Sequence, residues 1–216
     1  MKTLRVKLTF IKSVLGTCPN NADLYREFIG SKAPDAERVE DEVAALGVDA
    51  VAEKGTTIFP RDSKGRPFLW AYQVKGFFKG SAGHMNTNDP NSKLTAYKKK
   101  IDGGLFVWAS HVEEGNELDM IPFENYGDIT LLQRPLRAQT MQGERVSLAC
   151  SEEIQKGASI TFDVECENEA LVPYVKKWLD FGLRNGIGQW RNSWHGAFRW
   201  ELLGEWDGPA EVLRSA

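Results

Sequence analysis

The C-terminal third of the chain reads as strand, helix, loop and strand, and this order restricts the fold more than any other feature. Residues 160–166 alternate apolar and polar side chains, which predicts a half-buried strand. Residues 169–183 carry apolar side chains at helical spacing and predict an amphipathic helix. Residues 197–203 alternate again and predict a last strand. The segment therefore predicts a βαβ unit.

A second alternating segment opens the chain, with Leu4, Val6, Leu8 and Phe10 on one face. A first strand plus a closing βαβ unit indicates an α+β fold of the ferredoxin-like (RRM-like) kind, with a long insertion between them. We expect one domain over residues 1–204.

The expected insertion covers residues 20–125 or so, and it contains several predicted elements. Helices are expected at 22–30 and at the acidic 35–53, and a flexible polar loop at 81–93. Further strands are predicted at 105–108, 129–132 and 145–149. The end of the chain, 205–216, is expected to be a flexible tail.

Composition excludes several classes of protein. The 216 residues are 42% hydrophobic and 26% charged, typical of a globular protein with a core of useful size. No apolar run approaches 18 residues and none resembles a signal peptide, so we expect a cytoplasmic protein without a membrane partner. Cys18, Cys150 and Cys166 are scattered, which predicts reduced thiols rather than a zinc site or disulfides. No metal and no cofactor is predicted.

The formal charge of −3 hides uneven blocks. Residues 35–53 and 113–128 are acidic, whereas 61–100 and 176–199 are basic. Aromatic residues are interleaved with the basic blocks, an arrangement by which proteins hold single-stranded nucleic acid. Such blocks can equally be solvated faces, and the aromatic residues can equally be core.

Two segments carry more specific signals. In residues 67–79, a strand end meets a helix start that carries two lysines one turn apart, a natural phosphate site. In residues 183–199, glycines, amides and arginines form a donor-rich loop that suits a phosphate backbone. The residues expected at a nucleic-acid site are Lys75, Lys79, Arg184, Gly186, Gly188, Trp190, Arg191, Trp194 and Arg199.

Together these segments resemble the RAMP superfamily, the ferredoxin-like RNA-binding subunits of CRISPR effector complexes. Val14-Leu15-Gly16 matches the family's leucine–glycine loop after the first strand, and Pro67 to Lys79 matches a proline-to-arginine motif, retaining Pro67, Lys75 and Gly76. Gly186, Gly188 and Gly196 match the family's C-terminal glycine-rich loop. The chain is also similar to bacteriophage proteins that share Arg134 to Thr140, which implies a stand-alone phage-type homologue.

Three functions remain open at this point. The leading hypothesis is a non-enzymatic protein that binds single-stranded RNA or DNA and self-associates, with acidic blocks of one copy meeting basic blocks of the next. The second is a phage anti-defence (anti-CRISPR) protein that binds or mimics a CRISPR complex subunit. The third is a metal-independent endoribonuclease using His84 or His195, because some members of the family cut RNA with a histidine. No motif fixes either histidine, so no catalytic residue is assigned.

Overall fold

The structure, a computed structural model, describes residues 1–20, 56–140 and 143–214. The helices predicted at 22–30 and 35–53 lie outside these residues. The strands are β1 (Lys2–Phe10), β2 (Val14–Leu15), β3 (Cys18–Pro19), β4 (Thr57–Ile58), β5 (Phe68–Trp70), β6 (Leu105–Ala109), β7 (Met120–Glu124), β8 (Ile129–Thr140), β9 (Gly143–Ile154), β10 (Ser159–Cys166) and β11 (Phe198–Asp207). The α-helices are α1 (Ala71–Asn88), α2 (Tyr97–Gly104) and α3 (Val172–Asp180).

The central sheet has the strand order β11–β1–β10–β6, and all neighbours are antiparallel. Helix α1 lies in the chain between β1 and β6, and α3 lies between β10 and β11. Two βαβ halves interleaved in this order define the ferredoxin-like fold, so the predicted α+β class is confirmed. β7 and β5 extend the sheet beyond β10. A second sheet is built on the β8–β9 hairpin.

The apolar face of β1 explains where the core lies. Leu4, Val6 and Leu8 are fully buried, and they pair with Val164, Phe162 and Ile160 of β10. The helices cover this face of the sheet through apolar side chains such as Val74, Phe78, Val175 and Trp178. Burial of such side chains contributes roughly 1.5–3 kcal/mol each, which makes this layer the main source of stability.

The insertion predicted at 20–125 includes two elements that belong to the ferredoxin-like unit itself. α1 and β6 fall inside it, yet they form the first βαβ half of the ferredoxin-like unit. Val107 of β6 pairs with Val164 of β10, and α1 buries Phe77 and Phe78 in the core. These contacts were hidden in the sequence because a long stretch of chain separates β1 from its helix.

The loop predicted at 81–93 is also wrong. Residues 81–88 continue α1, and a short 3-10 helix follows at Pro90–Ser92. Ser81 and Ala82 are fully buried against the core, and burial of this face maintains the helix despite its polar composition. Asp89 ends the segment by accepting a hydrogen bond from the Asn91 backbone N–H at 3.0 Å.

The predicted tail is ordered as far as the structure follows it. β11 extends to Asp207, which pairs with Lys2, and Ala210 and Val212 are buried. The segment 208–213 crosses the sheet face opposite the helices, where Thr3 donates a 2.6 Å hydrogen bond to the carbonyl of Gly208. This face is the one on which RRM proteins stack bases, and here the chain itself covers part of it.

Candidate nucleic-acid interface

The glycine-rich loop, residues 184–197, is shaped by backbone contact. Gly196 has a left-handed φ of +72°, and a Cβ at this position would lie 1.8 Å from the carbonyl oxygen of Ile187. A Cβ at Gly186 would lie 2.2 Å from the carbonyl carbon of Gly196. The Gly196 N–H donates to the carbonyl of Ser13 at 2.8 Å, which attaches the loop to the turn after β1. These glycines therefore serve the packing of the loop.

Trp190 is held inside a stack of three side chains. Its ring lies 4.9 Å from the His195 ring in a parallel arrangement, and the Arg134 guanidinium lies 4.8 Å from its centroid. His195 is 7% exposed, its Nδ1 lies 3.1 Å from the Ser13 hydroxyl, and burial lowers its pKa. Trp190 is 39% exposed, and its ring already has partners in His195 and Arg134.

Arg134 brings a buried positive charge beneath the loop. It is 7% exposed and donates from Nη2 to Oε1 of Gln189 at 3.1 Å, while its Nε and Nη1 have no hydrogen-bond partner among the described residues. Burial lowers its pKa, and among the described residues no carboxylate pairs with it. The charge therefore adds to the positive potential of the loop.

Trp194 differs from Trp190 in its surroundings. Both residues have left-handed backbones, with φ of 66° and 54°, a conformation that costs a bulky residue roughly 1–2 kcal/mol. For Trp190, the contacts of its ring with His195 and Arg134 offset this conformational free energy. Trp194 is 64% exposed and contacts no other aromatic ring among the described residues. Its left-handed backbone ends the 3-10 turn Arg191–Ser193, where its N–H donates to the Arg191 carbonyl at 2.9 Å, so no packing of its ring accompanies this conformation.

This difference predicts effects of different size for two matched substitutions. Trp190→Ala is expected to lower the free energy of unfolding by about 2 kcal/mol, because it removes the ring's contact with His195 and its cation–π contact with Arg134. Trp194→Ala is expected to change it by less than about 0.5 kcal/mol. Chemical denaturation of both variants measures the contrast, and equal losses would contradict the assignment of the two rings.

A groove runs between α1 and the loop. Tyr72, Gly76, Gly80 and His84 lie four residues apart on one face of α1, and they line two cavities of about 290 and 410 Å³. Both cavities are also lined by Arg191, which joins them. We call this feature the α1–loop groove.

Within the described part of the chain, no acid compensates the positive charge of the groove. No Asp or Glu among the described residues lines either cavity. Arg184 and Arg191 are exposed at the larger cavity, and neither forms an ion pair with any described residue. Trp194 lines the same cavity, whereas Tyr72, 63% exposed, lines the smaller one. The groove thus combines cations with exposed rings.

The larger basic block of the sequence is partly neutralised within the chain. Glu113 lies 2.6 Å from Lys64 and 2.8 Å from Arg66, and Asp102 pairs with Lys79. The excess of seven bases over residues 61–100 therefore does not form one open basic face. The smaller basic block supplies the unpaired cations of the groove.

Besides Trp190, three of the predicted site residues lie outside the groove. Lys75 donates to the carbonyl of Asp102 at 2.9 Å and lies over the Phe106 ring, and Lys79 is paired with the Asp102 carboxylate. Both lysines are thus turned toward α2 and β6. Arg199 is exposed on β11 opposite Thr9, outside the groove. The structure brings together Arg184, Gly186, Gly188, Arg191 and Trp194.

Sequence reasoning missed part of the groove. Gly76 and Gly80 lie inside a helix, where glycine costs about 1 kcal/mol relative to alanine. A Cβ at Gly76 would meet nothing within 4 Å, so the fold itself does not require glycine there. Two glycines one turn apart in a helix are unusual, and this spacing could have indicated from the sequence that a groove lies along this face of α1.

The two histidines considered for catalysis lie on different elements of the fold. His195 is buried in the stack with Trp190. His84 lies on α1, not in the loop predicted for it, and stacks on Phe181 at 4.6 Å beside the larger cavity. Among the described residues no group of three or more His, Cys, Asp or Glu side chains could hold a metal. No helix in the described part is both long and apolar enough to cross a membrane.

Comparison with known proteins adds two solved structures. One is a chain of the type III-B Cmr-beta complex bound to cognate target RNA, with 10% identity and a TM-score of 0.47 over 95% of this chain and 60% of that one. The other is a chain of a type IV-B CRISPR complex, with 10% identity and a TM-score of 0.46 over 98% and 96%. The chain spans 60% of the length of the first. No family model and no curated protein matches.

Proposed function

We propose that this protein binds single-stranded nucleic acid in the α1–loop groove and does no chemistry on it. The observation that carries the proposal is the groove around Arg184, Arg191 and Trp194. As far as the described residues show, it holds two guanidiniums without an ion pair and an exposed indole, and no acid lines it. Guanidiniums neutralise phosphates, and an exposed ring stacks on an unpaired base.

A single strand fits this arrangement better than a duplex does. In a duplex each base is already stacked on its neighbours, so Trp194 and Tyr72 would have no base face to contact. A duplex would therefore bind only through the electrostatic attraction between its phosphates and the two arginines.

The test is binding of fluorescent 12-nucleotide RNA and DNA to the full chain between about 50 and 200 mM salt. We expect binding at low salt, and a fall in log affinity with log salt of slope roughly −1 to −2, because two arginines face the strand. The matching duplex is expected to bind more weakly. Absence of binding at low salt, or tighter binding of the duplex, would refute the proposal.

Two protein partners are also predicted from the sequence, a second copy of this chain and a CRISPR complex subunit. Self-association and binding to a CRISPR complex subunit would use surfaces outside the groove, and analytical ultracentrifugation of the purified chain tests the first. Monomers at every concentration would remove self-association and leave nucleic-acid binding untouched. The phage-type origin and the anti-CRISPR role remain sequence predictions.

A further inference from the structure

The larger cavity of the groove is more elaborate than phosphate binding requires. Its volume is about 410 Å³, within the range of small-molecule sites. Besides the two arginines, its walls carry the side-chain amides of Asn185 and Asn192, and neither amide has a hydrogen-bond partner among the described residues. A site that only followed a phosphate backbone would need the cations alone.

The ring of Trp194 indicates what shape of ligand the cavity takes. An exposed indole on a left-handed backbone is maintained at a cost, although nothing described in the protein stacks on it. A flat aromatic ligand placed on this indole would gain the stacking that the protein leaves unused. A second wall is made by His84 and Phe181. These two rings stack on each other, so each already has an aromatic partner within the protein.

The polar groups select among flat ligands. Arginine only donates hydrogen bonds, asparagine donates and accepts, and none of the described residues that line the cavity carries a carboxylate. Guanine presents two acceptors, N7 and O6, on one edge, which a guanidinium can bind in a bidentate manner. Cytosine presents an amino donor on its edge, and carboxylates are its usual partners.

We propose that this cavity receives one guanine base, stacked on Trp194 and bound through its N7/O6 edge by one guanidinium together with the amides, while the other guanidinium contacts phosphate. The inference deepens the proposed function, on which it rests: the groove would bind any single strand, and this cavity would give it a preference for strands that place a guanine there.

The experiment compares oligouridylates of 12 nucleotides that carry a single central guanine, adenine or cytosine. We expect the guanine oligomer to bind about tenfold more tightly than the other two, since one bidentate contact discriminates by this order. In the Arg184→Lys/Arg191→Lys variant, which keeps both charges but removes the guanidinium forks, the guanine preference should fall below about twofold. Arg199→Lys, a change at an exposed arginine outside the groove, serves as the control and should keep the preference.

A second probe separates the two proposals. Guanosine 5′-monophosphate and adenosine 5′-monophosphate are titrated into the full chain while the fluorescence of wild type and Trp194→Phe is followed. Equal affinity for all three oligomers with retained salt dependence would overturn the guanine site and leave the groove. Binding of the guanine nucleotide without binding of any oligomer would overturn the groove and leave the site. No binding of either probe would overturn both.

Discussion

Reversing the charge of the two groove arginines should remove most of the affinity for single-stranded nucleic acid. In Arg184→Glu/Arg191→Glu we expect a loss of about 50-fold or more at 0.1 M salt, because both phosphate contacts are lost and two carboxylates repel the strand. The salt slope itself should fall by about 1.4, since each phosphate contact on a single strand contributes about 0.7. Fluorescence anisotropy at several salt concentrations measures both quantities.

The control for this variant is Lys98→Glu/Lys99→Glu. These lysines are exposed on α2, outside the groove, and their reversal changes the formal charge by the same amount. We expect a loss of less than about threefold, from the weaker long-range field. Equal losses in the two variants would mean that net charge, and not the groove, governs binding.

The strand pattern of the fold could be predicted from sequence because it depends on local alternation. β1 and β10 each place apolar side chains on one face, and α3 places its own at helical spacing, so every element shows its orientation within a few residues. Their order along the chain then leaves few arrangements.

The elements that were misread depend on distant partners. The end of α1 has a loop-like composition, and it is helical because Ser81 and Ala82 are buried. The tail is ordered because β11 continues to pair with β1, a contact about 200 residues away along the chain.

The candidate site was predicted only in part for the same reason. Arg184, Arg191 and Trp194 belong to one loop, so their proximity follows from the sequence. Lys75 and Lys79 were misplaced because Asp102, which engages both, lies on another helix. A stretch of sequence shows which cations are present but not which of them an acid elsewhere neutralises.

The largest expected effect on stability concerns a buried ion pair beneath the C-terminal segment. Arg5 donates from Nε and Nη2 to the two carboxylate oxygens of Asp163 at 2.8 and 2.9 Å, and Asp163 is fully buried. Its carboxylate raises the pKa of Arg5, whereas burial raises the pKa of Asp163. Arg5→Met should lower the free energy of unfolding by about 3–5 kcal/mol, because the carboxylate would remain buried without its cation.

The pH dependence of this loss has a definite sign. In Arg5→Met the pKa of Asp163 lies above that of the unfolded chain, near 4, so the penalty grows as the pH rises through the folded value and is absent below the unfolded one. Urea unfolding should therefore show a larger deficit at pH 7 than near pH 4.

Arg5→Met/Asp163→Leu should recover most of the loss, since an apolar pair replaces an ionic one. Lys7 lies on β1 like Arg5 and pairs with Glu201 of β11 near the surface. Lys7→Met should lower the free energy of unfolding by less than about 1 kcal/mol. A deficit in Arg5→Met that is independent of pH, or as small as that of Lys7→Met, would show that the Asp163 charge is not what the guanidinium stabilises.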